Sequence, residues 1–447
     1  MFYIEKIKNI VKNDPHREIV VVSELGKRQA DDTKGTDMLI ELAKTKDYGL
    51  IDRIVDFHRG VFPWISQERI RGPLLSRVSQ NLEDRAYLDA VKAWGEETVA
   101  RITAEEMNAM YIDPREIFLV TDDFGNAKIL PESENMIRKR LGSLNGVVVV
   151  PGFYGYTKDG LIATFSRGGS DLTGAYIAAA LEARVYENFT VPVTGRKEDT
   201  HINGVCAADP KIVNNPMKIE EITYSELRDL SYSGFDIMHS EALKPVAAKN
   251  IRMHVRNTLT YPHRGTFIVG DRVSNPKMPI VGIAYQDGFC AFSISKIGLD
   301  DETGIDEKIL GAFVLKDESG KERRIPVNFT PGAVDDISVV MREKHPLVRA
   351  GWVDEIKTNL YKVVGDDGLV DFIENLGCLV VAGKGLREAL GIAAGIQSTL
   401  DRARIDTVFT SIGAQKRCFV YGVNPLDGNK AVNALYDEFI RPFQTEQ

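Results

Sequence analysis

The sequence predicts an α/β protein with a mostly parallel sheet in its first part, followed by two small α+β units. Three observations carry this prediction. Buried β-branched runs alternate with helix-like segments as far as residue 271. Glycine-rich turns follow several of those strands, and two segments of similar pattern occupy the remainder of the chain.

Length, charge and cysteine spacing exclude several functional classes of protein. The chain has 447 residues, a net charge of −8 and a pI near 5.6, which suggests about three domains. The absence of a basic excess argues against a general nucleic-acid or acidic-membrane binder. Without a signal peptide or an apolar run of membrane-spanning length, we expect a cytoplasmic protein. The four cysteines form no CxxC pair and are predicted to be core residues.

The first part is predicted element by element. The helix at 36–44 has Thr36 as its possible N-cap, and the helix ending near residue 233 is closed by Gly234. The predicted elements are, in order, a helix at 2–13, a buried strand within 17–28, helices at 36–44 and 96–110, a strand–turn–strand segment over 146–171, and a helix over 221–234.

The two C-terminal units share one pattern. The segments 280–362 and 372–447 each read as strand, helix, strand, strand, helix. Their turns "TPGAVDDISVV" and "SIGAQKRCFVY" correspond in position. An internal duplication of one α+β unit is the simplest explanation.

The stretch "FSRGGSDLTGAYIAAAL" joins a strand to a helix through Gly168 and Gly169, which allow a ligand to approach the backbone. The helix N-terminus favours an anion, and Arg167 could pair with a phosphate or carboxylate. Ser170 offers a hydroxyl, and Asp171 would attract an ammonium or a metal ion. The pattern suits a zwitterion or a phosphate with Mg²⁺. The structural alternative is a tight turn with Asp171 as a helix cap.

Two more polar loops accompany this stretch. The loop "PGFYG" lies at 151–155 and the loop "NGVCAADPK" at 203–211. Loops at the ends of successive strands are typical of a ligand crevice at the carboxyl edge of an α/β sheet.

These motifs, in this order, resemble the aspartate kinases of the amino acid kinase superfamily, most closely the clostridial-type monofunctional members. "VVVSELGKR…GTDMLIELA" and the Gly-Glu pair of "WGEETVA" fit the same family. The resemblance implies an α/β/α sandwich over 1–272 and a pair of ACT (ferredoxin-like) domains over 280–362 and 372–447.

The resemblance also implies a reaction, the phosphorylation of the L-aspartate β-carboxylate by ATP with Mg²⁺, the first step towards lysine, threonine and methionine. Such chemistry needs mainly positioning and charge neutralisation. Arg167 would hold a substrate carboxylate and Glu96 the substrate ammonium. The implied residues are Arg167, Ser170 and Asp171 for catalysis; Ser23, Thr36, Glu96, Gly168 and Gly169 for substrate; and Thr200, Gly204, Asp209 and Lys211 for nucleotide.

Each of these implied site residues could instead have a purely structural role. Glu96 could be a first-turn helix acid, Ser23 a strand-end hydroxyl and Thr36 only a cap. Asp209 and Pro210 could be only a turn. Taken together and in order, the functional reading is favoured.

The family's opening strand, with its Lys-Phe-Gly-Gly motif that contacts ATP phosphates, does not occur in the sequence. We expect upstream codons to supply it, and impaired catalysis if the chain is complete without it. Other departures lie in the nucleotide region. About ten residues are inserted within 190–202, so that either Thr190 or Thr200 could be the motif threonine, with His201 where an aspartate is usual. Asp236 stands where many relatives carry a lysine.

The ACT pair implies regulation. Such pairs imply a homodimer or homotetramer inhibited by lysine, with Leu299, Asp335 and Asp336 lining an effector site. The alternative is that both aspartates are solvated strand-edge charges. Two rival functions remain, a catalytically impaired amino-acid sensor and a relative that phosphorylates glutamate or a nucleotide.

Overall fold

The computed structural model describes residues 2–26, 33–166, 168–190, 203–235, 238, 240–316, 320, 322–344 and 351–444. The chain divides into two compact units. The first comprises residues 1–205 and 237–271, and the second residues 206–236 and 272–447.

The first unit contains most of the helices. They are α1 (Phe2–Lys12), α2 (Gly35–Thr45), α3 (Leu50–Val61), α4 (Gln67–Val78), α5 (Asp84–Met107), α6 (Glu132–Leu141), α7 (Gly169–Ala180) and, after α8 (Tyr224–Ser231) of the second unit, α9 (Leu243–Ala248). The second unit also contains α10 (Ile305–Gly311), α11 (Trp352–Val364), α12 (Ile392–Arg402) and α13 (Gly428–Phe439). Among the described residues, no helix is both long and apolar enough to cross a bilayer.

The strands are numbered in chain order. They are β1 (Ile19–Val22), β2 (Met110–Tyr111), β3 (Val148–Pro151), β4 (Tyr154–Tyr156), β5 (Ile162–Thr164), β6 (Val185–Thr190), β7 (Val205–Cys206), β8 (Lys218–Ile219), β9 (Glu221–Thr223), β10 (Arg252–Asn257), β11 (Thr266–Val269), β12 (Gly282–Ser295), β13 (Val314–Lys316), β14 (Glu322–Arg324), β15 (Val327–Phe329), β16 (Gly332–Ala333), β17 (Asp336–Arg342), β18 (Leu369–Ala382), β19 (Thr407–Ile412) and β20 (Cys418–Val423).

Parallel pairing dominates the first unit, as the sequence predicts. β1 and β2 both pair in parallel with β3, in the order β1-β3-β2. β6 pairs in parallel with β10, and β11 adds an antiparallel edge. β4 and β5 form an antiparallel hairpin over the PGFYG region. Because β1 and β3 run in parallel, the loops that follow them emerge at one edge.

The long helix α5 is the centre of this unit. The sequence predicts a helix only from residue 96, whereas α5 begins at Asp84. Its buried residues lie on most of its circumference, since it packs against α2, α4, β3 and β5. An all-round buried helix lacks a clear polar face, and its first turns therefore escaped the periodicity argument.

Helix α2 differs from the prediction at its start. It begins at Gly35, with Lys34 at the N-cap position, so Thr36 is the second helical residue and not the cap. The predicted capping role of Thr36 is wrong because the helix starts one residue earlier, at the glycine.

The second unit is built on an antiparallel sheet. Its described strands run in the order β15-β17-β12-β18-β20-β19, with β16 also paired to β17. The two 14-residue strands β12 and β18 lie side by side at the centre. Each repeat places a long strand at the centre and its own shorter strands outside, which agrees with the predicted duplication. Cys290 and Cys378 are buried thiols in these long strands.

One segment of the first repeat was mispredicted. The third element of the first repeat, which the pattern predicts as one strand over "RRIPVNFT", is divided in the structure: β14 pairs with β13 and β15 pairs with β17. Pro326 separates β14 from β15. Because proline has no backbone N–H, it interrupts a sheet ladder at this position.

Candidate active site

The loops after β1 and β3 meet at the carboxyl edge of their sheet. Val22 is in register with Pro151, so Ser23 and Gly152 follow neighbouring strands. The N–H of Gly152 donates to the carbonyl of Val22 at 2.9 Å. A Cβ on Gly152 would lie 2.6 Å from Oγ of Ser170, so only glycine allows the loop this close to the start of α7.

The glycine pair at 168 and 169 forms the turn into α7. Gly168 has a φ of 80° and occupies the N-cap position of α7. A Cβ on Gly169 would lie 2.7 Å from Phe165 and 2.9 Å from the ring of Phe153. The turn therefore exposes the helix N-terminus, where backbone N–H groups and the helix dipole favour an anion.

Thr173 joins the two glycine loops. Its hydroxyl accepts the N–H of Phe153 and donates to the carbonyl of Gly169, both at 3.0 Å. Phe153 has a φ of 79°, a conformation that costs a non-glycine residue energy and persists only when its surroundings enforce it. The sequence does not indicate this role of Thr173, because a threonine inside a small-residue helix carries no local signal.

Asp171 lies in the first turn of α7. Since Gly168 holds the N-cap position, Asp171 is not the helix cap. Its Oδ1 accepts from Nδ2 of Asn188 on β6 at 2.9 Å, and its backbone carbonyl accepts from the hydroxyl of Tyr186 at 3.2 Å. Strand β6 therefore orients this half-buried carboxylate at the edge of the site.

A residue that the sequence analysis did not single out lies beneath this edge. Glu24 follows Ser23, and its carboxylate lies between Gly35 and Gly95. A Cβ on Gly35 would lie 2.1 Å from Oε1 of Glu24, and one on Gly95 would lie 2.0 Å from Oε2. Nε2 of His58 lies 3.0 Å from Oε1, and neither side chain is more than 2% exposed. The carboxylate thus connects the loop after β1 with α2, α3 and α5.

Glu96, predicted to meet the substrate ammonium, follows Gly95 in the middle of α5. It therefore is not the first-turn acid of the alternative reading. The side chain is buried, and its Oε2 receives no hydrogen bond from any described residue. Burial, and then the negative charge of Glu24, raise the pKa of Glu96 well above its usual range.

Lys92 and Asp89 lie one and two helical turns before Glu96 and form a buried ion pair. Nζ of Lys92 lies 2.8 Å from Oδ1 of Asp89. Oδ2 of Asp89 accepts the N–H groups of Gly125 and Thr164, both at 2.7 Å. Nζ also lies 5.5 Å from the ring centroid of Phe153. The pair therefore fixes α5 against β5 and points towards the PGFYG loop.

Among the other predicted residues, Thr36 is half-buried and adjoins Gly35. Arg167, Thr200, His201 and Asp236 lie outside the described residues. Gly204 has a φ of 94°, and a Cβ there would lie 2.5 Å from Oγ1 of Thr266.

In the second unit, Oδ1 of Asp209 accepts the N–H of Lys211 at 2.8 Å. Asp209 therefore forms a turn, which is the structural role given above as the alternative to nucleotide binding. The Lys211 side chain is exposed.

The predicted effector residues lie in the second unit. The backbone N–H of Leu299 donates to Oδ1 of Asp335 at 2.9 Å, while the Leu299 side chain is buried in the core. Asp335 has a φ of 61°, and Asp336 begins β17 opposite Ser295. The structure brings Leu299 and Asp335 together, but it directs the leucine side chain inwards.

A separate cleft of about 370 Å³ lies at the opposite edge of the first sheet. Its lining includes Asp14, Arg17, Asn108 and Val147. These residues precede β1, β2 and β3, so the cleft lies at the amino ends of the strands. The described residues contain no group of three or more His, Cys, Asp or Glu side chains placed to hold a metal ion.

The sequence matches known proteins along nearly its whole length. Residues 3–257 match the amino acid kinase family. Aspartokinase 3 of Bacillus subtilis (strain 168) is 33% identical over 461 residues, covering 98% of this chain and 95% of that protein. Aspartokinase 2 of the same organism is 25% identical over 448 residues, covering 98% and 94%.

Solved structures agree with the fold described above. The Clostridium acetobutylicum aspartate kinase superposes with a TM-score of 0.78 at 28% identity, covering 97% of this chain and 96% of that one. E. coli aspartokinase III in complex with aspartate and ADP superposes with a TM-score of 0.76 at 20% identity, covering 97% and 95%. The same enzyme in complex with lysine and aspartate gives 0.68 at 18% identity, covering 98% and 96%.

Proposed function

We propose that this chain, which belongs to the amino acid kinase family and is an aspartate kinase, converts ATP and L-aspartate to ADP and 4-phospho-L-aspartate. The buried Glu96, which has no hydrogen-bond partner for Oε2 among the described residues, carries the proposal. An acid that is buried without a base provides a strong site for a substrate ammonium.

The substrate pocket is proposed at the carboxyl edge of the β1-β3-β2 sheet. Glu96 binds the ammonium, and Ser23, Thr36, Gly168 and Gly169 line the pocket, with Arg167 holding a substrate carboxylate. Selection for an amino acid follows physically, because a ligand without an ammonium would leave Glu96 buried and unpaired.

The chemical step needs little from the protein beyond placement. An oxygen of the β-carboxylate forms a bond to the γ-phosphorus as the bond to ADP breaks. The carboxylate is already anionic, so no general base is required. The N-terminus of α7 and Ser170 would stabilise charge on the transferred group, and Asn188 holds Asp171 in place beside them.

The nucleotide side of the site is proposed to use Thr200, Gly204, Asp209 and Lys211. Mg²⁺ would arrive with ATP and supply charge neutralisation for the phosphates. The E. coli complex with aspartate and ADP supports the choice of both ligands.

The second unit is proposed to regulate the enzyme. The E. coli complex with lysine and aspartate supports lysine as the effector class. We place ACT domains at 280–362 and 372–447 and the effector contacts at Leu299, Asp335 and Asp336. Homodimers or homotetramers would form through these domains, in a cytoplasmic enzyme at the start of lysine, threonine and methionine biosynthesis.

The test is the release of ADP from Mg·ATP with and without L-aspartate. Hydroxylamine in the assay should trap the acyl phosphate as a hydroxamate, which identifies the product. L-Asparagine and L-glutamate are the matched controls, and added L-lysine should suppress turnover. ADP release that does not depend on L-aspartate would contradict the proposal, while lysine binding without turnover would indicate an amino-acid sensor.

A further inference from the structure

A group of five buried ionisable residues lies along α5 and will be called the α5 cluster: Glu24, His58, Asp89, Lys92 and Glu96. It contains three acids and two bases. Full ionisation would therefore leave one negative charge without compensation inside the protein, which is costly. The contacts show which acid is left over.

Two of the acids already have a base. Asp89 pairs with Lys92 at 2.8 Å and accepts two backbone N–H groups. Glu24 lies 3.0 Å from Nε2 of His58. Nδ1 of His58 lies 2.8 Å from the carbonyl oxygen of Ile54, so this nitrogen carries a proton and donates to the carbonyl.

Glu24 and His58 form a buried ion pair when His58 is protonated. Burial alone would lower the pKa of His58, but the Glu24 carboxylate outweighs burial and the pKa is raised. The two glycines at 35 and 95 leave room for the carboxylate and none for a Cβ. Gly35 is also the first residue of α2, where the helix dipole favours a negative charge.

Glu96 is the remaining acid. Burial and the charge of Glu24 raise its pKa, while hydrogen bonds from the backbone N–H groups of Glu96 and Glu24 and the charge of Lys92 offset this only in part. Glu24 and Lys92 already face partners of their own, His58 and Asp89. A proton on Glu96 makes the α5 cluster neutral.

We infer that Glu24 and His58 are positioning residues that set the pH at which Glu96 exchanges its proton for the substrate ammonium. The Glu24 carboxylate favours the proton on Glu96, and His58, as the partner of Glu24, limits that effect. This inference rests on the proposed function. The exchange is balanced: the neutral carboxyl releases one proton to solvent, and the resulting carboxylate pairs with the incoming –NH₃⁺. Binding of L-aspartate thus depends on pH through a pair of residues that does not itself touch the substrate.

The inference predicts opposite effects for the two members of the pair. Glu24→Gln removes a negative charge beside Glu96, so the rise of KM for L-aspartate at acid pH should move to lower pH. His58→Asn leaves Glu24 without its base, so the same rise should move to higher pH. Each displacement should be about one pH unit, with kcat changed much less than KM.

The experiment measures kcat and KM for L-aspartate from pH 5 to 9 in wild type, Glu24→Gln, His58→Asn and the control Glu97→Gln. Glu97 adjoins Glu96 but pairs with Arg77 at 2.6 Å, and its variant should not move the profile. Displacement of both cluster variants in the same direction, or of neither, would overturn the inference, since a merely structural role predicts no opposite signs.

A second readout does not depend on turnover. The pKa of His58 is measured by NMR in the ligand-free wild type and in Glu24→Gln, or in Glu24→Ala if the glutamine variant does not fold. A raised pKa that falls in the variant supports the pair even if the protein phosphorylates something other than aspartate. An ordinary pKa of His58 in the wild type would overturn the inference, whatever the substrate.

Discussion

The first unit buries two clusters of charge that differ in one respect, the balance between acids and bases. In the α5 cluster, Glu96 has no base of its own. In the other cluster, here called the β6 cluster, the single acid Glu187 is surrounded by Arg17, His254 and Arg256. Both glutamates are on regular elements, and Glu96 is buried while the Glu187 side chain is 17% exposed.

The pKa values of the two glutamates move in opposite directions. Burial raises the pKa of both, but hydrogen bonds from His254, Arg17 and Arg256 and the charge of Arg17 bring that of Glu187 down to about 2. On Glu96, burial and the charge of Glu24 outweigh the lowering effects of hydrogen bonds from the backbone N–H groups of Glu96 and Glu24 and of the charge of Lys92, so its pKa stays well above its usual range. The contacts of Glu187 are those of a structural acid, whereas the role proposed for Glu96 is to bind a cationic ligand.

Glu96→Gln should have the largest effect. The variant cannot form the charged pair with the substrate ammonium, at a cost of about 3 kcal/mol, or roughly a hundredfold in kcat/KM for L-aspartate. Steady-state kinetics measures this, with Glu97→Gln as the neighbour control. Stability should not fall, because the variant buries no ionisable acid. A large loss of stability would show that Glu96, like Glu187, has a structural role.

Glu187→Gln should show the reverse, a loss of stability without a loss of activity. Three bases lose their common carboxylate, and the free energy of unfolding should fall by about 3 kcal/mol. Because the folded-state pKa is lowered from 4.5 to about 2, this stability is present above pH 4.5 and is lost as the pH falls towards 2. Denaturant unfolding of wild type and variant between pH 2 and 7 measures it. An equal difference at all pH values would contradict the assignment.

Gly95→Ala tests the space that holds Glu24. The added Cβ would lie 2.0 Å from Oε2 of Glu24 and displace the carboxylate, at about 2 kcal/mol of stability. The double variant with Glu24→Ala should recover most of that loss, since alanine favours the helix. Gly72→Ala in α4, where the nearest atom would lie 3.5 Å away, is the control and should be neutral or stabilising. Failure of the double variant to recover would show that another contact limits position 95.

Asn188→Ala should have the smallest effect. Asn188 and Glu187 are consecutive on β6 and project to opposite faces, one to Asp171 and the other to the β6 cluster. Loss of the bond to Asp171 should lower kcat about tenfold, or about 1.4 kcal/mol, with KM for L-aspartate nearly unchanged. Glu187→Gln is the control and should leave kcat unchanged. Equal losses of kcat in the two variants would contradict the assignment of one face of β6 to the active site and the other to the β6 cluster.

What the sequence predicts well is local. The glycine turns around Gly152 and Gly168 and the duplicated C-terminal pattern are contained in short stretches whose spacing has a physical meaning. The start of α5 was missed because burial on most sides removes helical periodicity. Thr36 was misplaced because a glycine, not a threonine, opens α2.

The pairing of charges could not be predicted from the sequence. Glu24 and His58 are 34 positions apart (58 minus 24) and belong to different elements, so only the tertiary fold brings them to 3.0 Å. The same applies to Asp89 and Thr164, which lie on α5 and β5. Sequence patterns predict candidate site residues such as Glu96, whereas the charged neighbours of those residues are brought together by packing.

The most direct test of the contrast between the two clusters is the infrared carboxyl spectrum of the ligand-free protein at neutral pH, before and after L-aspartate. We expect a protonated-carboxyl band in wild type and in Glu187→Gln that disappears when L-aspartate binds, and no such change in Glu96→Gln. If the band does not disappear in wild type, or if it also disappears in Glu96→Gln, Glu96 does not hold the exchangeable proton and the account is contradicted.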